Sequence, residues 1–189
     1  MLQLPDAKID YIPTWLDKPS ARKIFSALLN EIDWQEGEVF LFGNLHTIPR
    51  LQAWHGEPNA KYRYSGKTLT PQPWTETLLY LKGLLEEQGM HFNSVLLNLY
   101  RDGNDRMGWH ADNERELGAQ PTIASISLGA ARTFQLKHRV SKQRFDIELA
   151  DGSLLIMAGV TQDHWIHQLP QRKRCSATRI NLTFRNIVA

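Results

Sequence analysis

The chain has little of what stabilises secreted or membrane-bound proteins. Cys175 is the single cysteine among 189 residues, so no intrachain disulfide can form. The first ten residues carry no basic segment followed by an apolar one, which a secretory signal would have. No apolar run approaches the roughly 20 residues needed to cross a bilayer. We therefore expect a monomeric cytoplasmic protein without a membrane partner, nucleoid-associated in a bacterium or nuclear in a eukaryote.

Strong net charge is also absent, but the charge is unevenly distributed. The formal net charge is +2, with −3 over residues 1–60 and +5 over residues 61–189. Residues 137–144 carry four cations and no acid, and residues 172–174 are Arg-Lys-Arg. Such clusters are expected on a surface that meets phosphates, although they are also common on ordinary solvated surfaces.

The length and the 42% apolar content favour one domain with a full core. Helical spacing of apolar residues predicts one helix after Asp17 and a second helix opened by Pro71 and Pro73. Short strand-like pieces fill the last third of the chain, and Asp151-Gly152 is typical of a β-hairpin. The pattern predicts an α+β protein, an antiparallel sandwich or jelly roll whose open end can hold a ligand.

The most informative stretch is residues 98–112, which read NLYRDGNDRMGWHAD. Asn98 and Tyr100 lie two apart after an apolar run, so on a strand they share one face. Beyond a turn rich in Gly, Asn and Asp, His110 and Asp112 are again two apart, and an extended backbone would direct both side chains to one point. This arrangement is typical of half a metal site.

A third ligand is required, because a lone His-x-Asp pair is more often a surface histidine beside a solvated carboxylate. The segment QDHWIHQLP offers His167, with His164 as its competitor. His110, Asp112 and His167 would form the facial triad of non-haem Fe(II) oxygenases, which leaves coordination positions open. The alternative is that both downstream histidines are polar residues beside a buried tryptophan.

The last strand-like segment, residues 179–185, alternates polar and apolar residues without a break. Arg179 and Arg185 therefore share the polar face, whereas Ile180, Leu182 and Phe184 face the core. An unpaired guanidinium inside a sheet is costly, so each arginine needs a partner. A dicarboxylate co-substrate would provide a bidentate partner, and a structural pair with a protein carboxylate is the alternative.

Taken together, these motifs resemble the AlkB family of Fe(II)/2-oxoglutarate-dependent nucleic-acid dealkylases, and especially its DNA-repair branch. The resemblance runs from about residue 40 to residue 187. It implies a double-stranded β-helix (jelly-roll) core buttressed by N-terminal helices. It also implies a single domain over residues 1–189, with an N-terminal extension at 1–40, nucleotide-recognition loops at 41–70 and the jelly-roll core at 90–189.

The resemblance also implies cofactors and residue roles. Fe(II), 2-oxoglutarate and O2 would be the cofactors. The implied catalytic metal ligands are His110, Asp112 and His167. The implied 2-oxoglutarate-binding residues are Asn98, Tyr100, Arg179, Asn181 and Arg185, with Arg179 meeting the distal carboxylate. The implied substrate-binding residues are Phe42 as a wedge in the duplex, Arg50, Tyr62, Tyr64 and Ser65 near the base, and Glu114 at the exocyclic amine.

The implied reaction is oxidative demethylation of N-alkylated bases in DNA, of the 1-methyladenine and 3-methylcytosine type, with release of formaldehyde, succinate and CO2. The partner would be alkylated DNA, with RNA as another possibility. Tyr64 and Asn113 depart from the Phe and Asp of animal members, which leaves base and strand preference open. Two rivals remain: a related oxygenase acting on RNA, protein or a small molecule, and a non-catalytic binding module, which ranks last because no metal ligand is missing.

Overall fold

A computed structural model describes residues 2–41, 44–60, 62–64 and 67–188. The strands are β1 (Lys8–Ile12), β2 (Gln35–Leu41), β3 (Asn44–Gly56), β4 (Tyr62–Tyr64), β5 (Lys67–Leu69), β6 (Ser94–Tyr100), β7 (Met107–His110), β8 (Ile123–Gly129), β9 (Arg132–His138), β10 (Arg144–Leu149), β11 (Ser153–Ala158), β12 (Trp165–Leu169) and β13 (Arg179–Arg185). The helices are α1 (Lys18–Glu31), α2 (Glu76–Glu86) and the short α3 (Thr161–His164), with a 3-10 turn at Arg115–Leu117.

Two antiparallel sheets form the body of the fold. The large sheet has the strand order β1-β11-β8-β13-β6-β3-β2, and the small sheet has the order β10-β9-β12-β7. The strands β4 and β5 pair only with each other. The two sheets face each other as in a jelly roll, which confirms the expected fold class. The large sheet also takes in β1, β2 and β3, all from the first 56 residues of the chain.

Helix α1 forms where the sequence predicts it. Asp17 caps its N-terminus, and its Oδ1 accepts a hydrogen bond from the backbone N–H of Ser20 at 2.8 Å. Proline is tolerated in the first turn, because the N–H groups there have no partner within the helix. Ile24 and Leu28, one turn apart, are buried against the large sheet.

Helix α2 begins later than the sequence predicts. Thr75 is its N-cap, so Pro71 and Pro73 lie ahead of the helix and do not open it. The reason is a competing backbone interaction: the N–H of Gln72 donates to the carbonyl of Trp54 at 2.9 Å. The segment before the helix is therefore held extended beside β3, and the helix starts where that pairing ends.

The main core lies between the two long helices and the outer face of the large sheet. Alternation along β6 and β13 places one face of each strand, which is apolar throughout, in this core and turns the mostly polar opposite face toward the small sheet. The strand residues in this core include Leu97, Leu99, Ile180, Leu182 and Phe184. The same alternation therefore provides both the stability of the fold and the polar wall of the cavity between the sheets.

The turn at Asp151-Gly152 is not the β-hairpin that the sequence predicts. The strand before it, β10, pairs with β9, whereas the strand after it, β11, pairs with β1 and β8. Gly152 has φ +74°, which a residue with a Cβ adopts only at a cost. The Asp151 carboxylate accepts a hydrogen bond from the backbone N–H of Gly129 at 2.8 Å. The turn is therefore a corner through which the chain passes from the small sheet to the large one.

Within the described residues, no helix combines the length and apolar character needed to cross a lipid bilayer.

Candidate metal centre and active-site cleft

Two histidines and an aspartate meet between the two sheets, and we call them the metal cluster: His110, Asp112 and His167. His110 ends β7 and lies directly opposite His167 of the neighbouring strand β12, while Asp112 follows two residues later. One ligand atom from each residue can be chosen so that all three lie within 4.8 Å of one another. The structure therefore brings together the three residues that the sequence singles out, and it selects His167 over His164.

A β-bulge in β7 directs His110 toward the cavity. Met107 pairs with Leu169 and His110 pairs with His167, so Gly108-Trp109 lies opposite a single residue of β12. Without the extra residue, two positions three apart would face opposite sides of the sheet. With it, Met107 and His110 both line the same small pocket between the two sheets, which we call the inner pocket; Asn98, Tyr100 and Arg179 line it from the large sheet. Bulges beside active sites commonly re-aim a side chain in this way.

The spacing of the cluster fits one metal ion. The Nε2 atoms of His110 and His167 are 3.1 Å apart. Two nitrogens that each lie about 2.1 Å from an ion at a right angle are about 3.0 Å apart. The Nε2 of His167 and the Oδ2 of Asp112 are 3.8 Å apart, which is also within the span of two ligands of one ion. Two imidazoles and one carboxylate form the ligand set of a facial triad.

The protonation of the two histidines suits metal binding. The Nδ1 of His110 lies 2.8 Å from the carbonyl oxygen of Gly108. A carbonyl can only accept, so Nδ1 carries the proton and Nε2 keeps its lone pair for a metal. Burial, together with the neighbouring His110, lowers the pKa of His167 to about 3. His167 is therefore neutral at physiological pH, the form that binds metal.

Asp112 is held as a carboxylate in spite of its burial. Burial by itself raises the pKa of this group, but the charge of Arg185, together with the two histidines, keeps the pKa below its ordinary value. The Nη2 of Arg185 donates to Oδ1 of Asp112 at 2.6 Å, and Gln162 accepts from the Asp112 backbone N–H at 3.0 Å. These contacts leave Oδ2 directed toward the two histidines. Arg185 therefore has a carboxylate partner within the chain, and Gln162 is a supporting residue that sequence reasoning missed.

Arg179 lies in the inner pocket with unsatisfied donors. It faces Tyr100 across the β13–β6 pair and is 2% exposed. Its Nη2 donates to the Ser127 hydroxyl at 3.0 Å, but Nε and Nη1 are buried without a partner. Burial lowers the pKa of Arg179 to about 10, so the guanidinium stays charged at neutral pH. A buried cation with two free N–H directions fits a carboxylate ligand.

Asn98 is oriented by two neighbours on β3. Its Oδ1 accepts from Nε of Arg50 at 2.7 Å and from Nε2 of Gln52 at 2.9 Å. The oxygen is thereby occupied, and the amide Nδ2 is left as a donor toward the inner pocket. Arg50 is buried, and its Nη1 donates to the carbonyl of Arg106 at 3.2 Å. The hydrogen bonds of Arg50 therefore support the pocket residue Asn98, and Arg50 also lines a wider cleft that opens from the metal cluster.

Tyr100 lies between two buried arginines. The guanidinium carbons of Arg132 and Arg179 are 5.9 and 6.0 Å from the centre of its ring. Arg132 was not predicted: its N–H groups donate to the carbonyls of Asp102, Asp105 and Pro170 at 2.7 to 3.2 Å. It therefore fixes the loop after β6 to the loop after β12. Burial raises the pKa of the Tyr100 hydroxyl, which therefore stays protonated and can donate.

Asn181 lies opposite Asn98 across the β13–β6 pair. Its Nδ2 donates to the Ser125 hydroxyl and to the Ile126 carbonyl, and its Oδ1 accepts from the Thr183 hydroxyl at 3.1 Å. Asn181 lines the inner pocket, but its amide is already satisfied by the protein. Its contacts hold β13 and β8 together beside the metal cluster.

A cleft of about 780 Å³ opens from the metal cluster toward β2 and β3. Behind the cluster, the inner pocket is much narrower, at about 40 Å³. Glu114 lines the wide cleft, and its Oε2 is buried without a hydrogen-bond partner. A buried carboxylate oxygen without a donor favours a cationic or N–H-bearing ligand in the cleft.

The side chains of four expected substrate-binding residues lie outside the described part of the structure. Phe42 and Ser65 lie outside the described residues. Tyr62 and Tyr64 belong by their backbone to β4, and their side chains are likewise outside the description. The expected roles of these four residues rest on the sequence alone.

His164, the rejected ligand candidate, belongs to a second group, the N-terminal cluster: Asp6, His138 and His164. The rings of the two histidines stack at 5.9 Å with an interplanar angle of 8°. Ser141 donates its backbone N–H to Nδ1 of His138 at 3.0 Å, so the neutral ring carries its proton on Nε2. That nitrogen is 3.4 Å from Oδ2 of Asp6. The ring therefore presents Asp6 with a proton and not with the lone pair that a metal requires.

The chain is similar to known proteins in sequence and in fold. The family model described as the 2OG-Fe(II) oxygenase superfamily matches residues 8–185. DNA oxidative demethylase ALKBH2 of Mus musculus is 43% identical over 183 residues, covering 90% of this chain and 77% of the mouse protein. Alpha-ketoglutarate-dependent dioxygenase alkB homolog 3 of Bos taurus is 38% identical over 192 residues, covering 96% and 66%. The solved structure of OsALKBH1 has a TM-score of 0.67 over 98% of this chain and 100% of that one; at 15% identity it supports the fold alone.

Proposed function

Because this chain belongs to the AlkB family within the 2OG-Fe(II) oxygenase superfamily, we propose that it is an oxidative demethylase of N-alkylated bases in DNA. The observation that carries the proposal is the metal cluster with the partly unsatisfied Arg179 behind it and the wide cleft in front. One side of the cluster fits an anionic co-substrate, and the other side has room for a base.

The cofactors of the family, Fe(II), 2-oxoglutarate and O2, fit these residues. His110, Asp112 and His167 would hold the iron on one face. Arg179 would bind the distal carboxylate of 2-oxoglutarate through its free N–H groups, assisted by Tyr100. Together the cofactors oxidise an N-methyl group, which leaves as formaldehyde while 2-oxoglutarate is converted to succinate and CO2.

Other residues would orient these groups. Asn98 would donate its amide N–H groups into the inner pocket, since its oxygen is occupied by Arg50 and Gln52. Arg185 would fix the free oxygen of Asp112 toward the metal, and Asn181 would keep β13 in place beside it. Each of these roles uses a hydrogen bond that already exists in the fold, so the site is organised before ligands bind.

Glu114 would recognise the damaged base. Methylation at N1 of adenine or N3 of cytosine makes the base cationic and blocks its pairing edge, so the base leaves the stack at low cost. A buried carboxylate oxygen without a donor would attract both the charge and the exocyclic amine. Arg50, Tyr62, Tyr64 and Ser65 would complete the base pocket.

For duplex substrates, we propose that Phe42 fills the gap left by the flipped base and that residues 137–144 contact phosphates. Phe42→Ala should then reduce turnover on double-stranded DNA much more than on single-stranded DNA, where no gap needs filling. Neutralising Lys137, Arg139 and Arg144 should weaken duplex binding and flatten its salt dependence. Equal losses of turnover on both substrates for Phe42→Ala would contradict the duplex role of Phe42. We also propose that the protein acts on DNA as a monomer. It would do so at the nucleoid in a bacterium or in the nucleus of a eukaryote.

The deciding experiment is a demethylation assay with iron and 2-oxoglutarate on matched methylated DNA and RNA oligonucleotides, single and double stranded. Formaldehyde release from methylated DNA is the expected result. Turnover of 2-oxoglutarate without demethylation of any oligonucleotide would keep the oxygenase chemistry and reject the nucleic-acid substrate. Faster demethylation of the RNA oligonucleotides would mean that the substrate is RNA and not DNA.

A further inference from the structure

Trp109 is the exposed tryptophan of the chain. All six tryptophans lie within the described ranges, and the other five are buried or partly buried, whereas Trp109 is 36% exposed. A large aromatic ring on the surface is available for contact with a ligand. Trp109 directly precedes the metal ligand His110, so whatever it contacts lies close to the reaction.

The β-bulge explains why the ring points outward. Because Gly108-Trp109 lies opposite one residue of β12, His110 faces the metal and Trp109 is turned to the other face of the small sheet. β7 is the edge strand of that sheet, and Trp109 also lines the cleft. The indole therefore lies at the rim, where a strand leaving the cleft would pass over the edge of the sheet.

The neighbours of Trp109 on this outer face are cationic. The Nζ of Lys137 lies 5.5 Å from the centre of the indole ring. Lys137 is paired directly with Arg144 on the adjacent strand, and this places two like charges opposite each other on a solvent-facing surface. Such a pair is destabilising by itself. Among the residues that the structure describes, neither cation forms an ion pair within 4.0 Å, so both are available to an anion.

We propose that Trp109 is a stacking platform for the nucleotide next to the base being demethylated, with Lys137 holding the phosphate beside it. The inference rests on the proposed function, because it assigns a position to the substrate strand outside the cleft. An aromatic face next to a cation is the combination that binds single-stranded nucleic acid without reading its sequence. Trp109 is thus a substrate-positioning residue, distinct from the residues that hold iron, 2-oxoglutarate or the damaged base.

The test is a binding cycle on short strands with 1-methyladenine at the centre. The two neighbours are replaced in turn by an abasic residue, and binding is measured by fluorescence anisotropy without oxygen, with iron and 2-oxoglutarate present. For the wild-type chain, removing one particular neighbouring base should weaken binding by about tenfold, the order expected for one stacked base. Trp109→Ala should already have lost this contribution, so the abasic substitution should cost it nothing more.

Two further variants separate stacking from simple damage. Trp109→Phe keeps an aromatic face and should recover most of the binding, and Tyr80→Ala removes a ring that is 54% exposed on α2 and should change nothing. The proposal would be overturned if the losses of affinity caused by Trp109→Ala and by the abasic residue added together. It would also be overturned if Trp109→Ala bound the strands as tightly as the wild-type chain does. A dimer of the wild-type chain that Trp109→Ala dissociates would reassign the ring to an interface between copies.

The same strands separate this inference from the proposed function. If the wild-type chain binds the strands with the expected neighbour effect but releases no formaldehyde, demethylation fails and the platform stands. If it demethylates them without any neighbour effect, the platform fails and the proposed function stands.

Discussion

The metal cluster and the N-terminal cluster have the same composition, two histidines and one aspartate, but they differ in where the protons lie. In the metal cluster, the backbone oxygen of Gly108 fixes the proton of His110 on Nδ1 and leaves the lone pair of Nε2 facing its partners. In the N-terminal cluster, the backbone N–H of Ser141 occupies the lone pair of His138 and leaves a proton facing Asp6. The composition of a cluster therefore does not identify a metal site; the backbone partners of His110 and His138 distinguish these two clusters.

The surroundings of the two clusters also differ. Beside the metal cluster lie buried donors and acceptors without partners, on Arg179, Arg185 and Glu114. These atoms face the inner pocket and the cleft. In the N-terminal cluster, Asp6 is exposed, and His138 is packed edge-on by Trp165, which donates its indole N–H to the carbonyl of Pro5 at 2.9 Å. The Nε2 of His138 in the N-terminal cluster is also buried without a hydrogen-bond partner, so the pocket and cleft beside the metal cluster, and not unsatisfied atoms alone, set the two clusters apart.

The largest expected effect separates the clusters by iron content. Asp112→Ala removes a ligand and leaves the charge of Arg185 beside two histidines, so iron binding should be lost and turnover should fall by at least about two orders of magnitude. Asp6→Ala should keep one iron per chain and normal turnover. Metal analysis and a formaldehyde assay on both variants test the comparison, which would be wrong if Asp6→Ala also lost iron.

The next effect concerns the buried guanidinium groups. Arg179→Lys should raise the KM for 2-oxoglutarate about 10- to 100-fold, because lysine lacks the fork that binds both carboxylate oxygens. Burial already lowers the pKa of Arg179 to about 10, and a lysine buried there would retain its charge less firmly. Arg132→Lys is the matched control: its N–H groups are satisfied by backbone carbonyls, so it should lower Tm and leave this KM within about threefold. If the KM for 2-oxoglutarate were unchanged in Arg179→Lys, Arg185 would be the residue that binds the distal carboxylate of 2-oxoglutarate.

A smaller effect tests the open side of the metal cluster. Glu114→Gln keeps the shape of the side chain and removes its charge, so kcat/KM on cationic 1-methyladenine should fall about tenfold. Turnover of 3-methylthymine, which is a neutral base, should change much less. The ratio of the two rates measures the electrostatic contribution of Glu114. Equal losses on both bases would mean that Glu114 acts through shape alone.

The smallest effect is on the stability of the metal-free protein in acid. The pKa of His167 falls from 6.5 to about 3 on folding, so between these values the unfolded chain binds a proton that the folded chain does not. The contribution of His167 to stability is therefore present above pH 6.5 and is lost as the pH falls toward 3, with a loss on the order of 1 kcal/mol at pH 5.5. His167→Gln should flatten this slope in denaturant titrations. His91→Gln, at an exposed histidine, should retain it, and a slope unchanged in His167→Gln would contradict the assignment.

Regular alternation made much of the site predictable from the sequence. Asn98 with Tyr100, and Arg179 with Arg185, share a face because the side-chain period of a strand is two, and the structure places all four in the inner pocket. The predictions of helix α1 and of antiparallel sheets are also confirmed, because they too rest on the periodic spacing of apolar residues. These features depend on neighbours along the chain, which a sequence displays directly.

Features that depend on the partner strand were not predictable. The bulge at Gly108-Trp109 exists only in the register between β7 and β12, and spacing alone cannot choose between His164 and His167. Arg132 and Gln162 act by contacting residues 27 to 50 positions away. At Asp151-Gly152 the local turn signal is present, but which strands pair is decided by the sheets on either side.

The strand β1 has a consequence for how the chain meets other copies of itself. It covers the edge of β11, a strand of sequence SLLIMA without a single charge. Uncovered, such a segment offers free backbone N–H and carbonyl groups together with apolar side chains, which is the pattern that favours pairing between molecules. The outer edge that β1 presents instead is five residues long and carries Lys8 and Asp10. The N-terminal strand thus protects this edge against pairing between molecules, and it can do so only once β11, which begins at Ser153, is in place.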